Sequence, residues 1–200
     1  MFNFVVILAA GKGERLKSLT LNEPKAHLAI RNELLINYNL KQLESVNNKI
    51  LTIGPFPEKI ISNAIKFGFN NFIYTLNKGN CWWIFNSALS QIDDPILVLP
   101  CDIITKIDLK FLFMEFERIN FPIIMLVPVV NNLGYDGDYL IVDKYLIRGL
   151  SSDNKGLFSS GIQVINPKKI NDYFKNKNKP EEFIDLWSVL IEDKKVFCSN

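Results

Sequence analysis

The chain has 200 residues, 48% of them hydrophobic and 12% aromatic, enough for one ordinary globular domain that buries about 70% of its unfolded surface without a disulfide or structural metal. Its 23 Lys and Arg nearly balance 21 Asp and Glu with no long block of one sign, which argues against a nucleic-acid-binding tail or a polybasic membrane patch. Three scattered cysteines, Cys81, Cys101 and Cys198, form no CxxC and are joined by one histidine, His27; this excludes a Cys/His zinc framework and suits a reducing, cytoplasmic setting.

Residues 4–8 form an apolar run with no Lys or Arg before it and a glycine- and charge-rich turn directly after it, so they read as a first buried strand and not as a signal-peptide core. A helix over 33–46 places Ile36, Leu40 and Leu43 on one face, and 49–54 reads as a second strand. Pro57 opens a helix with Ile60, Ile61, Ala64 and Ile65 as its buried stripe. A short strand over 72–75, a helix over 82–91 and a wholly apolar strand over 95–100, ending at Cys101-Asp102, come next. After a helix over 108–118, the apolar run 121–130 contains two prolines and is about half the ~20 residues a membrane span needs, so it reads as a strand over 122–129. The alternation then breaks: 139–142 and 145–149 look like a hairpin, followed by a strand over 161–165, helices over 167–174 and 181–191, and a strand over 194–199. The Lys-rich stretch 168–179, interrupted by Asn, Asp172 and aromatics, reads as a solvated helix end and loop. Together these predict one α/β domain over 1–200, a Rossmann-like, mixed and mostly parallel sheet flanked by helices with a small β excursion.

The loop after the first strand carries the strongest chemical signal. In Leu8-Ala9-Ala10-Gly11-Lys12-Gly13-Glu14-Arg15, small residues let backbone N–H groups approach an anion while Lys12 and Arg15 add charge. The third glycine of a dinucleotide GxGxxG is missing, since Leu16 stands there, and no GxxxxGK[ST] occurs. The continuation Leu19-Thr20, then Glu23-Pro24-Lys25, makes residues 5–30 resemble the signature LAAGxGxRLxPLTxxxPKxL of the sugar-1-phosphate nucleotidyltransferases, a family to which the choline-phosphate cytidylyltransferases are similar. Ser18 departs from its proline, and Ala26-His27 from the residues usual after the lysine. Molybdopterin guanylyltransferases share the glycine loop, but Ala10, Glu14 and Leu16 depart from their pattern.

The resemblance extends over about residues 3–170. Leu97-Val98-Leu99-Pro100-Cys101-Asp102 is similar to the strand whose aspartate holds catalytic magnesium, which implies Mg²⁺ on Asp102; on its own, an Asp after a strand also reads as a helix N-cap. Ser159-Ser160-Gly161 resembles a hydroxyl-glycine segment touching the sugar, and Gly137 falls where a backbone contact to sugar hydroxyls is expected. Gly79 and Asn80 occupy the place of a base-recognising turn, while Trp82 and Trp83 read as core. The Glu-Lys-Pro that binds the sugar phosphate is absent, leaving Arg148 and Lys155 as the nearest cations. The implied reaction joins a nucleoside triphosphate to a phosphorylated sugar or alcohol, with Arg15 neutralising the leaving diphosphate and Lys25 bridging the reacting phosphoryl groups. Nucleic acid and membrane are not expected partners. The alternative is a nucleotide-binding relative that has lost turnover and serves as a regulatory or scaffolding subunit. The family's second metal aspartate has no counterpart beyond the last strand; Asp185 beside Trp187 is the nearest candidate, and a reading frame extending past Asn200 is the companion expectation.

Overall fold

Strand β1 (Phe4–Ala9) is apolar on both sides, which suits a central strand covered on both faces. Val5, Ile7 and Ala9 join one core cluster and Val6 the opposite one, so the strand's period of two is resolved into two cores. The computed structural model describes residues 1–129, 137–152 and 156–200. β1 pairs in parallel with β4 (Asn48–Ile53) on one side and with β6 (Ile96–Pro100) on the other, and β4 pairs in parallel with β5 (Asn71–Tyr74). Strand β10 (Leu157–Ile165) runs antiparallel between β6 and β7 (Ile124–Val129). β11 (Val196–Cys198) then adds in parallel to β7, and the hairpin β8 (Tyr139–Asp143) and β9 (Leu146–Ser151) closes that side, giving the order β5-β4-β1-β6-β10-β7-β11-β9-β8.

Helices α1 (Asn37–Gln42), α2 (Pro57–Ala64) and α4 (Leu109–Arg118) cover one face through Ile36, Leu40, Ile60, Leu112 and Phe116. Helices α3 (Trp82–Asn86), α5 (Pro167–Tyr173) and α6 (Phe183–Glu192) cover the other through Trp83, Ile84, Phe174, Leu186 and Leu190. The mixed, mostly parallel sheet with flanking helices agrees with the sequence reading. Its consequence is positional: the C-terminal ends of β1, β4, β5 and β6 lie side by side, where an open α/β sheet presents its ligand crevice.

Two helices are shorter than their apolar period implies. Glu33–Leu34 (β3) pairs with Ala29–Ile30 (β2) in a small hairpin, turned by Arg31 and Asn32 with φ of 51° and 65°, and α1 begins only at Asn37. The helix expected over 82–91 stops at Ser87, whose backbone is extended and whose hydroxyl caps a following 3-10 turn by accepting the Leu89 N–H. Both breaks arise where a side chain or a tight turn gives the backbone a local alternative to the helix ladder. Strand β10 is longer than expected because Gly161 sits inside it as a bulge between Ser159 and Gln163, with φ of +75°. Among the described residues no helix is long and apolar enough to cross a membrane.

Candidate active site

The glycine loop leaves β1 at Ala9, whose N–H donates to the Thr52 hydroxyl of β4 at 3.2 Å and ties the two strand ends together. Beyond it a 3-10 segment over Glu14–Thr20 buries none of its residues, and the Thr20 hydroxyl folds back to donate to the Gly13 carbonyl at 3.0 Å. The loop therefore stands open toward solvent at the crevice, with Ala10, Gly11, Lys12, Gly13 and Arg15 lining a cavity of about 900 Å³.

Lys25 arrives from a separate 3-10 turn, Lys25–His27. That turn is anchored by its neighbours: Ala26 is buried, its carbonyl accepts the Ile36 N–H at 3.0 Å, and Glu23 just before it is paired with Lys59 of α2 at 2.5 Å. His27 is half-buried beside Lys25, and burial lowers its pKa; its Nε2 has no hydrogen-bond partner among the described residues. The Lys25 ammonium pairs with the Asp102 carboxylate, and both side chains are about one third exposed, at 33% and 32%.

Asp102 follows β6 in a stretch without regular structure that is held from below. The Asn39 side chain of α1, itself 1% exposed, donates through Nδ2 to the carbonyls of Pro100 at 3.2 Å, Cys101 at 3.5 Å and Ile103 at 3.0 Å. Gln42 extends the clamp, donating to Thr105 O and accepting from Ile107 N. No sequence motif marks Asn39; only the fold brings it beneath the loop.

A second cavity of about 420 Å³ shares Lys25, Asp102, Lys78 and Glu182 with the first. It continues between Leu8, Thr52, Pro100 and Gly161 on the sheet and Phe183 and Trp187 on α6. Lys78, Glu182, Gln163 and Phe183 are not singled out by the sequence, because nothing local distinguishes them from ordinary helix, strand and turn residues, and Trp187 enters there only as the neighbour of Asp185. Trp83 lies fully in the core, as expected, with its ring N–H donating to Asn80 O at 3.0 Å.

Other expected contacts take a different place. Ala9 is 2% exposed inside β1. Gly79 lines neither cavity: a Cβ there would lie 2.2 Å from Glu181 O, so this glycine serves the close approach of two backbones. Asn80 does line the second cavity, but its Oδ1 accepts the Phe183 N–H at 2.7 Å at the start of α6, leaving Nδ2 for a ligand. Ser160 is buried, with its hydroxyl donating to Val127 O at 2.6 Å and accepting the Ile162 N–H, so it pins the bulge to β7 while Gly161 alone of that pair reaches the cavity. Gly137 lies against the Phe158 ring and lines neither of these cavities. Arg148 is paired with Asp143 at 2.8 Å on the hairpin surface, and Lys155 lies outside the described residues. Asp185 is exposed in the first turn of α6 and lines neither cavity.

Among the described residues no three His, Cys, Asp or Glu side chains cluster as a metal centre. One accessible carboxylate at a crevice lined by the glycine loop, Lys12 and Arg15 is still a suitable donor set for Mg²⁺, which is commonly held by one or two carboxylates with substrate phosphates and water completing its shell. Asp102 fits that requirement, and Glu182 shares its cavity wall.

Known proteins resemble the chain in sequence and in fold. The chain is 27% identical over 200 residues to the bifunctional protein GlmU of Methanocaldococcus jannaschii, covering 96% of this chain and 47% of that protein, so it spans about half the length of that curated relative. Its fold is similar to UDP-glucose pyrophosphorylase complexed with UDP-glucose, with TM-score 0.73, 17% identity and coverage of 100% of this chain and 90% of that one. It is similar also to the CTP:phosphocholine cytidylyltransferase of Streptococcus pneumoniae, with TM-score 0.72, 17% identity and the same coverage. The nucleotidyl transferase family model matches residues 4–135, a span that holds the glycine loop, Lys25 and Asp102, and the chain belongs to that family.

Proposed function

We propose that the chain transfers a nucleoside monophosphate from a nucleoside triphosphate to a phosphorylated sugar or alcohol, releasing pyrophosphate, in a Mg²⁺-dependent reaction of the cytoplasm. The observation that carries this reading is the meeting of Lys25 and Asp102 on the wall shared by two cavities, one of which is lined by the glycine loop with Lys12 and Arg15. The acceptor phosphate is already an anion, so no general base is required. One of its oxygens attacks the α-phosphorus, the bond from that phosphorus to the bridging oxygen of the β-phosphate breaks, and pyrophosphate leaves with the electron pair.

The protein's part is alignment and charge. Lys12, Arg15 and the N–H groups of the glycine loop would hold the β- and γ-phosphates, and Lys25 would neutralise the oxygens of the α-phosphate and the incoming phosphate. Asp102, with substrate oxygens, would hold Mg²⁺, whose charge lowers the cost of the crowded phosphoryl centre. The three buried, unpaired cysteines support a reducing compartment.

The test is pyrophosphate release by the full chain with each of CTP, UTP, dTTP and GTP, supplied with Mg²⁺ and a panel of sugar 1-phosphates and alcohol phosphates. One triphosphate should support acceptor-dependent release. Lys25→Ala should lower turnover by about 10²–10³, Arg15→Ala should chiefly raise the KM for triphosphate, and Asp102→Ala should abolish the metal-dependent rate. Nucleotide binding without release from any pair of substrates would overturn transfer and favour the binding-only relative.

A further inference from the structure

The turn after β5 carries two side chains, Thr75 and Lys78, that line both cavities. β5 ends at Tyr74, and Thr75 extends its ladder by one step, its N–H donating to Ile53 O of β4 at 2.9 Å. The Lys78 N–H then donates back to Thr75 O at 3.0 Å, closing a turn in which Asn77 has a φ of 60°. Directly beyond, Gly79 lies against Glu181, and the Cys81 N–H donates to Glu181 O at 2.9 Å. The turn is therefore tied to the sheet at one end and to the segment before α6 at the other, the kind of fixed backbone from which a group can be aimed at reacting atoms.

Both side chains have unused hydrogen-bonding capacity. Thr75 is only 4% exposed, yet its hydroxyl makes no hydrogen bond among the described residues. Buried hydroxyls are ordinarily paired, so a partner for this one belongs in the cleft. Of the two cations that line both cavities, Lys25 is paired with Asp102, while Lys78 is in no ion pair among the described residues. Its ammonium stands 5.7 Å from the centroid of the Trp82 ring, a contact that steadies the long side chain without using a hydrogen bond. Glu182 shares the wall, but its carboxylate accepts the Asn80 N–H at 3.4 Å and forms no ion pair with Lys78.

Their place along the cleft gives these groups a task. Lys12 and Arg15 line only the cavity of the glycine loop, and Gln163 and Trp187 only the other, whereas Thr75, Lys78, Lys25 and Asp102 stand on the stretch common to both. A displacement at phosphorus that proceeds in line puts the departing pyrophosphate on one side and the incoming group on the other. With pyrophosphate at Lys12 and Arg15 and the acceptor in the second cavity, the common stretch is where the α-phosphate lies. An incoming phosphate monoester carries about 1.5–2 negative charges near pH 7 and must approach an α-phosphate that is itself an anion. Donors fixed in advance at that point lower the cost of bringing the two together.

We infer that Thr75 and Lys78 hold the α-phosphate, the hydroxyl and the ammonium each donating to one of its oxygens, as partners of Lys25 on a different element. This rests on the nucleotidyl-transfer reading above.

Calorimetric titration of the full chain with CMP, UMP, dTMP and GMP, and separately with inorganic pyrophosphate and Mg²⁺, tests this without requiring turnover, because a monophosphate carries the α-phosphate alone. At least one monophosphate should bind the wild type. K78M and T75V should each bind it about tenfold less tightly, the scale of one hydrogen bond to a charged group, and should keep the wild-type affinity for pyrophosphate. R15A should show the reverse pattern. The phosphorus resonance of the bound monophosphate should also titrate at lower pH in the wild type than in K78M, since an ammonium beside the phosphate favours its dianion. An unchanged monophosphate affinity in K78M overturns the inference, and so does a loss without a change in that titration, which would assign Lys78 to the base or the ribose. If T75V does not fold, K78M decides, because Lys78 is exposed. Pyrophosphate binding with no monophosphate bound would sink this inference alone; absence of both would sink the transfer reading itself.

Discussion

At the scale of single residues, the least conspicuous side chain in the sequence has a central place in the site. Asn39 sits in a helix with no motif around it, yet its amide donates to the carbonyls of Pro100, Cys101 and Ile103, which flank Asp102 on both sides. Its own oxygen accepts the Gln42 amide at 3.1 Å, so the group is satisfied and fixed. Leaving buried carbonyls without partners costs about 1–3 kcal/mol, and here the same loss would release the loop that aims the carboxylate. Asn39→Ala should therefore lower the urea midpoint and also weaken nucleotide-dependent Mn²⁺ binding measured by electron paramagnetic resonance. A variant that loses stability and keeps its Mn²⁺ affinity would show that Asn39 holds the helix and not the carboxylate.

At the scale of elements, legibility followed how local the determining forces are. The strands at β1 and β6 were readable because their apolar runs end directly in chemically marked turns, and Asp108 could be read near the start of α4, where its carboxylate accepts the Phe111 N–H at 2.9 Å. The β2–β3 hairpin was hidden because its turn uses Arg31 and Asn32 without the glycine that usually announces positive φ. The reversed direction of β10 was hidden for a different reason: alternation of side chains reports burial and says nothing of which way a strand runs. The same limit concealed half of the site, since α6 docks on the loop after β5 through contacts between residues about a hundred positions apart. Gly79 is the point where that docking is tightest. Gly79→Ala would force its Cβ into Glu181 O, separating the start of α6 from residues 79–81. The expected result is faster amide exchange at Cys81 and Phe183, whose N–H groups bridge the two segments, together with weaker acceptor binding. Unchanged protection at both amides would show that the two segments are held by the core beneath them and not by this backbone contact.

For the molecule as a whole, the cleft exists only in the folded state. Its walls are assembled from residues as distant as Leu8 and Trp187, carried on strands of both directions and on a helix from the opposite end of the chain, so the unfolded chain has no equivalent site. A ligand that binds only the native state stabilises it by mass action, by ~2.7 kcal/mol at a hundred times its Kd. For a domain of about 150–250 residues each kcal/mol moves the melting midpoint by about 2–4 °C, so the Mg²⁺ complex of the triphosphate that the site accepts should raise Tm by about 5–10 °C at that concentration. Under the proposed reading, triphosphates with other bases would share the phosphate contacts at Lys12, Arg15 and Lys25 and lack the fit of the base, so their shifts at the same concentration should be smaller. The ordering of the four shifts then names the base independently of any turnover. Differential scanning calorimetry of the full chain with CTP, UTP, dTTP and GTP in turn measures this, and four equal shifts would mean that the protein grips the phosphates alone. A melting point indifferent to all four would remove the glycine loop and Lys25 from any nucleotide-binding role.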